Sequence, residues 1–182
     1  MVGEIRALAA AELTFKGALS GHGVWSTLHA NSAPAIITRF RDMGVQPYML
    51  ADPELMKGLI SQRLFRKLCP HCRRQRAPEP YELKLLGVSS ERPVHSLYEA
   101  VGCPACEQQG YKGRMAIMEL LRMDPELDEL VARRATAREI REAASRKGFR
   151  PLADDGTRRV LEGATTLDEL CRVVNLTDRM SP

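Results

Sequence analysis

Four of the five cysteines in this sequence stand in two close pairs, Cys69-Pro70-His71-Cys72 and Cys103-Pro104-Ala105-Cys106. Each C-x-x-C turn can place two thiolates on one side of the chain. Two such turns together supply the all-sulfur tetrahedron that zinc takes at Zn–S distances of about 2.3 Å. A closed four-thiolate shell leaves no position for water or substrate, so the expected Zn2+ is structural and not catalytic. The interval between the pairs is longer than in the commonest short ribbons, but ion binding offsets the entropy of closing it. Redox thiols or plain buried cysteines are the competing readings, and the presence of both pairs without a thioredoxin-like context disfavours them. His71 lies inside the first knuckle and can replace a cysteine, although four thiolates make that unnecessary. Cys171 is left over and is expected to be a small core residue.

The rest of the composition restricts what can surround this module. At 182 residues the chain has room for one ordinary core and a satellite. No apolar run reaches the roughly 18 residues of a membrane span, and residues 1–6 show no cationic segment leading into an apolar stretch. A soluble, cytoplasmic protein is expected. The formal charge of +4 arises from dispersed bases, grouped locally at Arg63-Leu64-Phe65-Arg66-Lys67, Arg73-Arg74-Gln75-Arg76 and Arg133-Arg134. Solvated faces explain these groups better than a nucleic-acid surface does.

The elements that must position the cysteines follow from periodicity and caps. Residues 1–5 read as the tail of a buried strand. Leu8, Ala11, Phe15 and Leu19 recur at helical spacing up to Gly21. Residues 23–28 give a second strand, and Asn31-Ser32 with Pro34 caps a helix carrying Ile36, Ile37, Phe40 and Met43. This β-α-β-α order predicts a parallel sheet. Asp52-Pro53 is expected to open a helix with Leu55, Leu59 and Ile60, and 64–69 to return to strand. Within the cysteine module a short helix ends near Leu86-Gly87 and a strand covers 96–101. After Gly110-Tyr111-Lys112-Gly113-Arg114, residues 115–121 form a strand. Asp124-Pro125, the pair Thr136/Glu139 and the pair Thr166/Glu169 then start three helices, the second ending at Gly148.

The segment Val2-Gly3-Glu4-Ile5-Arg6 looks like the end of the acidic strand of type II secretion and type IV pilus-assembly ATPases. Residues 20–31, Ser-Gly-His-Gly-Val-Trp-Ser-Thr-Leu-His-Ala-Asn, resemble their histidine box. Thr38-Arg39-Phe40-Arg41-Asp42-Met43-Gly44, Gln62-Arg63-Leu64 before the first cysteine pair, and Gly110-Tyr111-Lys112-Gly113-Arg114 after the second agree in order. The joint order is specific where any one motif is weak, and the cysteines point to the assembly or export branch. The resemblance implies an α/β fold: the second half of a RecA-like ATPase core, with an inserted tetracysteine zinc module and a helical C-terminal subdomain. The corresponding division is 1–68, 69–106 and 107–182. It also implies that Glu4 polarises the attacking water or supports the magnesium shell of ATP, and that His22 and His29 lie near the γ-phosphate, with His29 the better placed.

The departures are equally specific. Ala7, Ala9 and Ala10 stand where the family usually has an aspartate, a glutamate and a threonine, which weakens the polar environment of Glu4. Gly23 and Trp25 replace aliphatic residues of the histidine box. No G-x-x-x-x-G-K-[ST] phosphate loop occurs in the sequence. The chain therefore reads as the C-terminal part of a longer ATPase that is inactive by itself. The parent is expected to bind ATP and Mg2+ and to form a homo-hexamer on the cytoplasmic face of a bacterial inner membrane. There it would work with platform proteins to drive pilin or pseudopilin assembly, with no specific nucleic acid. The alternatives are a non-enzymatic zinc-ribbon nucleic-acid-binding module and a truncated regulatory paralogue.

Overall fold

The computed structural model describes residues 3–88 and 96–176. Met1 and Val2 of the expected first strand lie outside them. Contacts divide the chain into two compact units, one made of the residues up to Ser61 with Glu119–Arg150, the other of Gln62–Met118 with the residues from Pro151 onward.

In the first unit the two expected strands meet as a single parallel bridge. Glu4 stands opposite Thr27, and the Ile5 N–H donates to the Thr27 carbonyl at 2.7 Å. The Ser26 hydroxyl donates to the Gly3 carbonyl at 2.6 Å beside it. Direction agrees with the β-α-β order, because two parallel strands need a crossover and α1 (Leu8–Leu19) provides it. Helix α1 buries Ala11 and Phe15, and the chain leaves it through Gly21 at φ 84°. Helix α2 (Ala33–Asp42) is capped by Ser32, whose hydroxyl accepts from the Ala35 N–H at 3.3 Å, with Pro34 in its first turn. Its buried Ile36, Ile37 and Phe40 face the core, and the Phe40 ring meets Phe15 edge to face at 5.4 Å. A short α3 (Pro47–Leu50) follows.

The helix expected after Asp52-Pro53 is a turn. Asp52 accepts from the Glu54 and Leu55 N–H groups, and the chain then becomes β1 (Gly58–Leu68). Leu59, Ser61, Phe65 and Leu68 are its buried residues, so the inward positions alternate at its start. The adjacent pair Leu59-Ile60 fits either period, and the available strand partner decides. That partner is β4 (Tyr111–Arg122). In the first unit the Met123 N–H donates to Lys57 O at 3.1 Å, and in the second the Cys69 N–H donates to Gly110 O at 2.9 Å. Helices α5 (Pro125–Ala132), capped by Asp124, and α6 (Ala137–Arg146), started by a complete Thr136/Glu139 capping box, finish the first unit. Its core gathers Ile37, Leu50, Leu121, Leu127, Val131 and Ile140.

The second unit holds β2 (Arg74–Arg76), α4 (Pro80–Leu86), β3 (Leu97–Glu99), α7 (Leu152–Leu161) and α8 (Leu167–Val173). Strands β2 and β3 pair antiparallel with Gln75 opposite Tyr98. Phe65, Leu86, Leu97, Ile117, Leu152, Val160 and Leu170 form its core. Helix α7 has no counterpart in the sequence expectations. It has no side-chain cap and carries Gly156, a weak helix former that hides the pattern. Packing explains that glycine, since a Cβ there would lie 2.3 Å from Leu170 Cδ1. The Thr166/Glu169 box forms only halfway. Thr166 accepts from the Glu169 N–H at 3.1 Å, whereas the Glu169 carboxylate turns to arginines.

Candidate functional site

Each cysteine pair is set by a tight turn. The Cys72 and Arg73 N–H groups both donate to the Cys69 carbonyl, and Cys103 opens a 3-10 turn, Pro104–Cys106, whose Cys106 N–H donates to the Cys103 carbonyl at 3.1 Å. The second turn leaves through Glu107 and Gln108 at φ 53° and 63°. Gly102, at φ 108°, allows this close return, because a Cβ there would lie 2.6 Å from Gln108 O.

The four Sγ atoms of Cys69, Cys72, Cys103 and Cys106 all lie within 4.8 Å of one another. Cys69–Cys103 measures 3.9 Å, Cys72–Cys106 3.8 Å and Cys103–Cys106 3.8 Å. A tetrahedron of Zn–S bonds has edges of about 3.8 Å, so the spacing and the donor set fit zinc. Backbone N–H groups point at the sulfurs as thiolates require: Gly102 N to Cys72 Sγ at 3.3 Å, Cys103 N to Cys106 Sγ at 3.3 Å, and Gly110 N to Cys106 Sγ at 3.2 Å. Burial opposes ionisation of Cys106, yet the N–H groups of Cys103 and Gly110 bring its thiol down to about 7. Burial pushes Cys72 up to about 12. His71 is exposed and stands outside the four-ligand group. Cys171 is exposed and not a core residue, because it lies on the outward side of α8 while Leu170 takes the inward position.

Around this module the basic groups are engaged internally. Arg66 donates to Glu169 through Nε at 3.0 Å and Nη2 at 2.7 Å, its backbone N–H reaches Glu169 Oε1 at 2.8 Å, and its guanidinium stacks over Tyr111. Arg172 bonds the same carboxylate. Burial opposes the charge of Glu169, and these donors overcome it and hold its pKa at about 2. Arg73 donates to Gly163 O at 2.7 Å and stacks over Tyr98, while Arg74 pairs with Glu99 and Arg76 with Glu82. Lone bases in the sequence gave no sign of these partners, most of which lie 25 to 103 residues along the chain.

The second cluster is centred on Glu4. The bridge to Thr27 brings Glu4 beside His29, whose Nε2 is 2.9 Å from Oε1. That spacing suits an ion pair when the imidazole is protonated, but the groups are not aligned as a hydrogen bond. The Arg6 guanidinium donates to Oε2 at 2.7 Å. This bond lowers the Glu4 pKa against a desolvation penalty, with the charges of Arg6 and His29 adding to it. Such a carboxylate keeps its charge at neutral pH, suiting it to orient water or a cation better than to accept a proton. His22 is brought elsewhere, with its Nδ1 2.9 Å from the Ser20 hydroxyl. Trp25, between them, is 71% exposed.

The comparisons with known proteins agree over nearly the whole chain. The family described as Type II/IV secretion system protein matches residues 1–172. The type IV pilus assembly ATPase TfpB of Acinetobacter baylyi is 42% identical over 178 residues, covering 97% of this chain and 30% of that protein. The type II secretion system protein E of Pseudomonas aeruginosa is 43% identical over 173 residues, covering 95% and 34%. The type IV pilus assembly ATPase PilB of Thermus thermophilus is 43% identical over 171 residues, covering 93% and 19%. The chain thus spans about a third or less of the length of these relatives. The solved structure of the Yersinia pseudotuberculosis ATPase DotB matches with a TM-score of 0.61 at 18% identity, over 97% of this chain and 36% of that one. At that identity it speaks to the fold, a mixed α/β segment of a RecA-like ATPase core.

Proposed function

The chain belongs to the type II/IV secretion system protein family, and from that premise we propose that it supplies Glu4 and His29 to the ATP site of a secretion or pilus-assembly motor. The observation that carries this reading is the placement of a charged carboxylate and an imidazole 2.9 Å apart at the ends of two neighbouring parallel segments. Open α/β sheets bind ligands at that edge.

In this reading Glu4 stays ionised, held by Arg6, and orients the attacking water or the shell of the magnesium that accompanies ATP. His29 donates from Nε2 toward phosphate oxygens and is kept near them by the Thr27 bridge. His22, turned to Ser20, has a lesser part. The phosphate-binding groups come from outside these 182 residues, since the sequence holds no phosphate loop. The cysteines hold a zinc ion that ties their two turns together and takes no part in the chemistry. The working assembly is a six-membered ring at the cytoplasmic face of the inner membrane, driving pilin or pseudopilin assembly through platform partners. Among the described residues no helix is long and apolar enough to cross a membrane.

The test is a chimera in which residues 1–172 replace the matching segment of the Pseudomonas aeruginosa relative. Magnesium-dependent ATP hydrolysis is expected, and Glu4→Gln should lower turnover by about two orders of magnitude while ATP still binds. An unimpaired Glu4→Gln chimera would overturn the role of Glu4. The 182-residue chain alone should show no turnover.

A further inference from the structure

A buried acid on β4 stands behind the histidine segment. Glu119 is 4% exposed, in the otherwise apolar run 115–121 of a strand whose inward positions are Ile117, Glu119 and Leu121. Its Oε1 accepts from the Ala33 N–H at 2.5 Å. Ala33 is the first residue of α2, where backbone N–H groups have no partner within the helix and the helix dipole favours negative charge. Ser32 satisfies the Ala35 N–H of the same turn. The side chain of Ser32 and that of Glu119, 86 positions beyond Ala33, therefore share one helix start.

We propose that Glu119 is a positioning residue for His29, anchoring through the Ala33 N–H the end of the segment that the Glu4–Thr27 bridge anchors at its beginning. His29 lies between the two anchors, two residues after Thr27 and four before Ala33. Leu28 and Ala30 pack against the core within this segment, and the Glu119 bond adds a fixed end at the start of α2 that narrows where His29 can stand relative to Glu4. With both ends held, the intervening residues have little freedom, and the imidazole is kept beside the carboxylate although its own side chain is 89% exposed. A carboxyl group buried at 4% exposure is costly unless donors meet it, so the site constrains the segment through a bond that water cannot readily replace.

The value of this placement for catalysis rests on the proposed ATP site, but its geometry can be tested without it. Amide hydrogen exchange on the 182-residue protein reads the Ala33 N–H bond to Glu119 directly, and the Ile5 N–H bond to Thr27 O reads the bridge at the far end. In Glu119→Ala, exchange at both Ala33 and Ile5 should quicken by about tenfold, the factor for losing one buried hydrogen bond. The Leu68 N–H, bonded to Ala164 O, should not change. Glu119→Gln keeps an acceptor oxygen and should return both amides most of the way. Faster exchange at Ala33 alone, with Ile5 unchanged, would reduce Glu119 to a helix cap and overturn the proposal. If Glu119→Ala does not fold, Glu119→Met, which keeps the bulk and removes the acceptor, decides: both amides quickened together support the proposal, and any other pattern sinks it. In the chimera, Glu119→Ala should lower kcat with KM for ATP unchanged, and rescue by glutamine should follow the exchange data. Failure of Glu4→Gln to affect turnover would instead refute the ATP-site reading and leave the exchange result standing.

Discussion

The cysteine cluster and the Glu4–His29 pair are built by opposite means. Two turns of four residues contain all the sulfurs of the first, and the N–H groups of Gly102, Cys103 and Gly110 close around them. The second depends on one parallel bridge between segments separated by α1, and leaves His29 almost wholly exposed. A site whose donors come two to a turn can be complete within a small unit, even though its two turns are 34 residues apart. A site that gathers donors across a sheet edge remains open until further groups meet it.

The largest expected effect breaks the closed site. One tightly held zinc per chain is expected, with apparent binding energies for such sites of about 10 to 16 kcal/mol. Cys69→Ser with Cys103→Ser should abolish it in metal analysis of reduced protein and unfold the β2–β3 module by hydrogen exchange. Retained zinc in that double variant would remove the distinction between the two regions.

The next effect concerns what surrounds the cluster. Glu169, fully buried between Arg66 and Arg172, has its pKa lowered from 4.5 to about 2. A depressed carboxylate gives stability that is present above the unfolded pKa and is lost as pH falls through the folded one. The window is therefore about pH 4.5 down to about 2. Glu169→Ala should cost about 2 to 3 kcal/mol at pH 7, less than a fully buried pair because both arginines are half exposed. Denaturant melts at pH 7 and pH 3 should show the difference shrinking in acid, and an equal loss at both would contradict it.

Gly156→Ala sharpens the comparison at lower cost. The new methyl would press on Leu170 in the second unit and should destabilise by about 1 to 2 kcal/mol. A thermal melt with unchanged midpoint would show that Leu170 can move aside. The smallest effect separates the histidines at the open site. In the chimera, His29→Ala should lower turnover by about tenfold, less than the hundredfold or more of a positioned acid–base group because its side chain is so exposed, and His22→Ala should leave it nearly unchanged. Equal losses would mean that the Ser20 contact does not hold His22 away from the chemistry.

Much of this protein was legible because its signals are local. The C-x-x-C turns, the Ser32, Asp124 and Thr136 caps, and the glycine at φ 63° after α4 depend on residues within a few positions of one another. The cysteines could be selected by type and spacing, and Glu4 and the two histidines by the resemblance of their segments to the family's motifs. Where two local readings were equally good the sequence misled, as at Leu59-Ile60, which became strand because β4 offers a partner. At Thr166/Glu169 the cap was right, but the carboxylate left the box for Arg66, 103 residues away.

Tertiary structure alone decided the long-range matters. It placed α5 and α6 with the first unit and α7 and α8 with the cysteine module, a choice set by which apolar faces meet after the β4 strand returns. It also brought His29 to 2.9 Å from Glu4, seated Glu119 on the start of α2, and turned Cys171 outward. Spacing along the chain determines which groups can share a turn or a helix face, whereas burial and charge compensation are properties of segments brought together from distant positions.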